Sequence, residues 1–143
     1  MNKKRLTRVL LPAASYPSVI NWTLLLFRIA FGGAFLSHGW SKWNNFQTLA
    51  DTFPDPLGVG SSLSLGLAVF GEAVCSVAIV LGLFHRLALL PMIFTMLIAF
   101  FIIHGSDAFA VKELAFVYLT AFVGLLIAGP GKYSADYLLF RKR

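Results

Sequence analysis

The amino-acid sequence predicts an all-α integral membrane protein, a four-helix bundle with both termini in the cytoplasm. The chain of 143 residues is 58% hydrophobic and only 13% charged, whereas soluble domains are about 25% charged. Four apolar runs are long enough to cross the ~30 Å of bilayer hydrocarbon. Lys and Arg residues are concentrated at the chain ends and in one short turn, as is typical of cytoplasmic segments.

The four predicted spans cover residues 19–38, 62–84, 87–104 and 113–128. The turn between the second and third spans contains His85 and Arg86 and predicts a tight helical hairpin. The run Gly129-Pro130-Gly131 ends the fourth span, because glycine and proline terminate helices. We predict a single domain over residues 1–143.

The basic residues orient this bundle through the positive-inside rule. They precede the first span, lie in the turn between the second and third, and follow the last: Lys3, Lys4, Arg5, Arg8, Arg86, Lys132, Arg141, Lys142 and Arg143. The other two connections combine Lys42 and Lys112 with aspartates. We therefore predict cytoplasmic termini. Because Arg28 interrupts the first apolar run, we also expect no cleavable signal peptide.

Several functional classes are disfavoured by the composition. The net charge is +6, but no basic groove interleaved with exposed aromatic residues is present, so no nucleic-acid partner is predicted. Cys75 is the only cysteine, and this excludes dithiol chemistry within the chain. His38 and His104 share a depth without an accompanying acidic cluster, so no metal site is predicted.

The long connection between the first two spans predicts a helical segment at the outer membrane interface. Trp40, Trp43, Phe46, Leu49 and Phe53 recur at three- or four-residue spacing and form one apolar stripe on a helix. Such a segment lies in the plane of the interface. Two roles are open for it: an aromatic belt that anchors the protein, or a lid over an outer pocket.

Ionisable side chains interrupt the predicted spans. At about 100° per residue, Arg28, His38 and Lys42 lie within an arc of roughly 80° on the first helix. Glu72 lies about as far from the outer end of the second span as Arg28 lies from His38. A lone charge inside the membrane costs at least ~2.5–3.5 kcal/mol. We therefore predict a buried ion pair between Arg28 and Glu72 near the midplane. The alternative is that this pair only fixes the helix register.

We expect the bundle to enclose a polar pocket that opens to the outer face, with Arg28 and Glu72 as its floor. A pair that only fixes the helix register needs two ionisable groups. This chain has more than two, and we expect them at successive depths from the midplane to the outer face. Buried ionisable groups in membranes mark ligand or proton paths. The candidate catalytic residues are His38, His104 and Glu113, and the candidate cofactor-binding residues are Arg28, Lys42 and Glu72.

Three stretches of the sequence resemble the DoxX family of small four-span bacterial membrane proteins. They are RIAFGGAFLSHGWSKW, PDPLGVGSSLSLGLAVFGEAVCSVAIVLGLFHRLA and KELAFVYLTAFVGLLIAGPGKYSAD. The resemblance extends over residues 22–136. Its pattern includes Arg28, His38-Gly39, Lys42, Pro56-Leu57-Gly58, Glu72, Leu81-Gly82, Arg86, Glu113 and Gly129-Pro130-Gly131.

The resemblance implies a multi-pass protein of the bacterial cytoplasmic (inner) membrane. The family resembles the membrane subunit of thiosulfate:quinone oxidoreductases, and some members are associated with redox-stress complexes that contain a superoxide dismutase and a sulfurtransferase. The resemblance therefore implies that this chain is a membrane subunit of a quinone-linked oxidoreductase or redox-stress system. Quinone would be its cofactor, and redox proteins would be its partners. The alternative is a non-catalytic membrane scaffold or small-solute binding module for redox partner proteins.

Overall fold

The computed structural model describes residues 16–140, and within them the secondary structure is entirely helical. Its helices are α1 (Ser18–Asn44), α2 (Phe46–Leu49), α3 (Ser61–Leu81), α4 (His85–Ile103), α5 (Phe109–Ala128) and α6 (Ala135–Phe140). Helices α1, α3, α4 and α5 are long and apolar enough to cross a bilayer, which confirms the predicted all-α, four-span fold. The basic residues Lys3, Lys4, Arg5, Arg8, Arg141, Lys142 and Arg143 lie outside the described residues, and the orientation of the termini stays a prediction.

The first span is longer than predicted. It was expected to end at His38, but α1 continues to Asn44, because no glycine or proline stops the helix between Trp40 and Asn44. Trp40 and Trp43 therefore belong to α1, and the separate segment of the connection is reduced to α2. Both tryptophans are exposed, as expected of interfacial aromatic residues.

Helices α1 and α3 touch backbone to backbone. A Cβ atom added at Gly39 would lie 2.5 Å from the Ala73 amide nitrogen and 2.6 Å from the Glu72 carbonyl carbon. Small residues allow such close approach between membrane helices. The contact fixes the register of the two helices: His38 and Gly39 lie level with Glu72.

Helices α3 and α4 each contain one π-helical turn. These turns cover Phe70–Val74 in α3 and Ala99–Ile103 in α4. A π-helical turn inserts one extra residue per turn and is frequent at functional sites. The π-helical turn of α3 holds Glu72, which is buried against α1.

We call the end of the bundle that contains the α3–α4 turn and residues 129–140 the terminal end, and the opposite end the loop end. At the terminal end the chain folds back after α5 and forms α6. The Asp136 carboxylate accepts hydrogen bonds from the amides of Phe84 at 2.7 Å and His85 at 2.8 Å. The Asp136 amide donates to the Gly82 carbonyl. These bonds cap α4 and anchor α6 to the α3–α4 turn.

At the loop end, the Asp55 side chain holds the turn that leads into α3. Its carboxylate accepts hydrogen bonds from the Ser64 hydroxyl at 2.7 Å and from the amides of Gly60 and Val59 at 2.7 and 3.0 Å. The Ser64 hydroxyl, followed by the Gly60 amide, holds the pKa of this carboxyl below its ordinary value of 3.8. The long connection is thereby tied to the third helix.

Candidate functional site

Arg28 lies at the terminal end and not beside Glu72, so the predicted Arg28–Glu72 ion pair is wrong. Its guanidinium donates hydrogen bonds of 2.6–3.0 Å to the backbone carbonyls of Ile79, Val80, Pro130 and Tyr133. The last carbonyls of a helix have no partner within it, and the fork of the guanidinium matches several of them at once. Arg28 is 1% exposed, and it joins the ends of α3 and α5.

The ion pair was predicted because the depths of Arg28 and Glu72 in the membrane were counted from the wrong residue of the first span. Counting from His38 as the outer end of the first span placed Arg28 and Glu72 at the same depth. Because Gly39 abuts Glu72, Arg28 lies about 15 Å from the level of Glu72 at ~1.5 Å per residue. The carboxylate that acts electrostatically on Arg28 is that of Asp136.

Glu72 is paired with Lys42. The Lys42 ammonium nitrogen lies 2.5 Å from Glu72 Oε2. The side chain of Glu72 is 6% exposed and that of Lys42 is 26% exposed, so the carboxylate is buried while the ammonium stays accessible. The structure thus brings together Lys42 and Glu72, both predicted to bind a cofactor. Their opposite charges neutralise each other inside the spans.

Tyr118 completes this site and was missed by the sequence analysis. Its ring lies edge-on to that of His38, with centroids 6.0 Å apart, and contacts Phe35 at 5.0 Å and Phe122 at 5.6 Å. It is buried, and Glu72 acts on it electrostatically. The sequence signal was present: the buried residues of α5 are Ala115, Tyr118, Phe122 and Leu125, a helical stripe.

We call Lys42, Glu72, His38 and Tyr118 the Lys42–Glu72 cluster. It lies where α1, the π-helical turn of α3 and α5 meet. His38 and part of Lys42 are exposed, whereas Glu72 and Tyr118 are buried. The accessible groups of the cluster are therefore the imidazole of His38 and the ammonium of Lys42.

The two other predicted catalytic residues lie apart from this cluster. His104 follows α4, and its Nδ1 is 2.8 Å from Asp107 Oδ2 in the turn before α5. Glu113 is exposed, together with Thr120 and Gly124 on the same helix. The enclosed pocket expected from the sequence required Glu113 to face the bundle interior, and the structure corrects that: the buried face of this helix is the one that carries Tyr118.

Two surface depressions of the described residues lie away from the cluster. One, of about 740 Å³, lies at the loop end between α2 and the start of α3, and Phe46, Asp51 and Ser61 are among its walls. Another, of about 410 Å³, lies at the terminal end. Neither is lined by His38, Lys42 or Glu72.

The Lys42–Glu72 cluster has the groups needed to bind a polar carbonyl compound and to move protons. An ammonium offers three N–H donors, an ionised carboxylate accepts hydrogen bonds, and an imidazole does both. The rings of Phe35 and Tyr118 pack in the core beside these groups. Few polar groups next to apolar walls are typical of small-molecule sites.

Comparison with protein families gives one match: the model of the DoxX family matches residues 23–105. The matched region extends from α1 to the turn after α4 and includes His38, Lys42 and Glu72, whereas Tyr118 lies beyond it. Comparisons with curated proteins and with solved structures gave no match.

Proposed function

Because the chain belongs to the DoxX family, we propose that it is the membrane subunit of a quinone-linked redox system in the bacterial cytoplasmic membrane. The quinone head group binds at the Lys42–Glu72 cluster. The observation that carries this proposal is the Lys42–Glu72 ion pair, whose carboxylate is buried and whose ammonium is accessible. Ionisable groups held inside spans mark substrate and proton paths.

The residues of the cluster fit a quinone head group, which is a flat ring with two carbonyl oxygens. Glu72 Oε2 accepts one hydrogen bond from the Lys42 ammonium, and further N–H donors remain for a carbonyl oxygen. The rings of Phe35 and Tyr118 are buried and pack against each other behind these groups. Quinones dissolve in the bilayer, so a quinone reaches groups that a spanning helix exposes, and α1 exposes His38 and part of Lys42. When bound, a quinone supplies two-electron, two-proton redox chemistry.

Each residue of the cluster has a distinct role in this proposal. The Lys42 ammonium orients a carbonyl oxygen and stabilises negative charge that develops on it. His38 is exposed and exchanges protons near neutral pH. Glu72 neutralises Lys42 and accepts a proton from the site. Tyr118 positions the imidazole of His38 through the edge-on ring contact.

The remaining predicted residues enter this proposal differently. The catalytic roles of His104 and Glu113 stay predictions, and the His104 ring lies beside the Asp107 carboxylate at the loop end. A cofactor-binding role of Arg28 also stays a prediction, and the proposal does not use it. The N–H groups of Arg28 already bind backbone carbonyls at the terminal end.

Quinone binding by the purified protein tests the proposal. Mass spectrometry of the detergent extract should detect quinone, and a short-chain quinone should bind on titration. A lost charge-assisted hydrogen bond is worth about 1.5–3 kcal/mol, so Lys42→Ala should weaken binding by about tenfold or more. His38→Ala should also weaken it. The matched control is Lys112→Ala, which removes an ammonium bound to the Gly105 carbonyl and should leave binding unchanged.

Two outcomes contradict the proposal: absence of quinone binding by the parent protein, or equal binding by the parent and Lys42→Ala. Either outcome supports the alternative, a non-catalytic membrane scaffold for redox partner proteins. Thermal unfolding of each variant shows whether a loss of binding reflects a loss of fold.

A further inference from the structure

The depression at the terminal end combines one cation with apolar walls. Leu81 lines it from the end of α3 and Leu83 from the α3–α4 turn. Lys132 and Tyr133 line it from the turn after α5, and Leu138 lines it from α6. Its volume of about 410 Å³ is sufficient for part of an amphipathic ligand. No role has been assigned to these residues by the redox proposal.

The backbone of Lys132 is fixed while its side chain is exposed. The Lys132 amide donates a 2.7 Å hydrogen bond to Asn21 Oδ1. The buried Asn21 side chain is itself held by the carbonyls of Tyr16 and Pro17. The Lys132 ammonium has no hydrogen bond or ion pair within residues 16–140. The ammonium of Lys132 is therefore exposed, on a backbone that is fixed by hydrogen bonds.

The charge at the terminal end favours an anionic ligand. Asp136 is the only carboxylate that residues 16–140 place there; it is buried, and its oxygens accept hydrogen bonds from backbone amides. The other acidic residues within 16–140 lie in the middle or at the loop end of the bundle.

The apolar surface at this end matches the boundary between acyl chains and lipid head groups. Leu138 is 81% exposed and Leu139 is 65% exposed. The rings of Trp22 and Tyr133 are both exposed, with centroids 4.6 Å apart, and such aromatic residues are enriched at head-group level. The depression is thus open to lipid.

We propose that this depression binds an anionic phospholipid, with the phosphate at the Lys132 ammonium and an acyl chain along Leu81, Leu83 and Leu138. Basic pockets beside membrane spans bind anionic head groups, and each Lys or Arg near the surface contributes about 1 kcal/mol, which is a factor of about five in affinity. This inference is independent of the quinone proposal.

Quenching of Trp22 fluorescence by brominated lipids tests the inference. The chain has three tryptophans, so a protein with Trp40→Phe and Trp43→Phe retains Trp22 alone, beside the site. This variant is placed in phosphatidylcholine bilayers of two kinds. One contains brominated phosphatidylglycerol, and the other contains the same fraction of brominated phosphatidylcholine. The ratio of the two binding constants should be about five or more in favour of phosphatidylglycerol.

Lys132→Ala should lower that ratio about fivefold, because it removes the ammonium and keeps the backbone amide that binds Asn21. The matched control, Lys112→Ala at the loop end, should leave the ratio unchanged. An excess of inorganic phosphate should not compete, since it lacks an acyl chain. A ratio near one, a ratio unaffected by Lys132→Ala, an equal loss in the control, or competition by phosphate would each overturn the inference.

Discussion

The pairing of Lys42 with Glu72 predicts strong energetic coupling between these two residues. The test is a double-mutant cycle with Lys42→Met, Glu72→Gln and the double variant. Loss of one partner of a buried ion pair costs about 3–5 kcal/mol of the free energy of unfolding. Because the Lys42 side chain is 26% exposed and exposed pairs contribute about 0–1 kcal/mol, we expect a coupling energy of about 1–3 kcal/mol.

A second cycle, between Arg28→Met and Glu72→Gln, is the control. These residues lie about 15 Å apart along the bundle axis, and changes at separated sites add to within about 0.5 kcal/mol. The free energy of unfolding is measured for every variant in mixed micelles, by the loss of helical circular dichroism as denaturing detergent is added. Coupling between Arg28 and Glu72 above about 1 kcal/mol, with none between Lys42 and Glu72, would refute the geometry described above.

Three further predictions concern the two ends of the bundle. Arg28→Lys should lower the free energy of unfolding by about 1–3 kcal/mol, because a single ammonium leaves at least one buried carbonyl without a donor; an unchanged unfolding midpoint would contradict this role. Because hydrogen bonds depress the pKa of Asp55, its stabilising effect should be complete above its ordinary pKa of 3.8 and fade as the pH falls through the lower pKa of the folded state. The stability difference between the parent and Asp55→Asn should therefore shrink only below about pH 4. A difference that shrinks already near pH 6 would exclude this role of the carboxylate. In a Cys75→Ser background, an impermeant thiol reagent added outside should label a cysteine placed at Gln47 and spare one at Lys132, and the reverse result would invert the predicted topology.

The four-span fold could be predicted from the sequence because the length of an apolar run is set by bilayer thickness. The ends of the spans were less well determined. A run that carries Trp40, Lys42 and Asn44 resembles an interfacial segment in composition, yet it continues α1 without a break. Helix continuation depends on backbone hydrogen bonds, which polarity patterns do not report.

The partner of Arg28 could not be predicted from charge alone. A search for an opposite charge finds Glu72, whereas the actual acceptors are backbone carbonyls that every residue carries. They become available only because α3 ends at Leu81 and α5 ends at Ala128, next to the guanidinium. The register of α1 against α3, set by the contact of Gly39 with Glu72 and Ala73, was likewise invisible in one sequence.

The candidate site was predicted in part. His38, Lys42 and Glu72 were selected because they interrupt apolar helices, and the structure brings Lys42 and Glu72 together. Tyr118 was missed because an aromatic residue in an apolar span resembles any core residue. Glu113 was selected by the same criterion, but it lies near the start of α5, is exposed, and lies on a different face from the buried Tyr118.

The most direct test of the quinone site is photolabelling with an azido-quinone in native membranes, followed by mass spectrometry of the labelled peptides. The account predicts label on the part of α1 that contains His38 and Lys42 and on α5 near Tyr118, with labelling reduced by unmodified quinone and by Lys42→Ala. Label confined to the depressions at the two ends of the bundle, or label that excess quinone does not displace, would contradict the central claim.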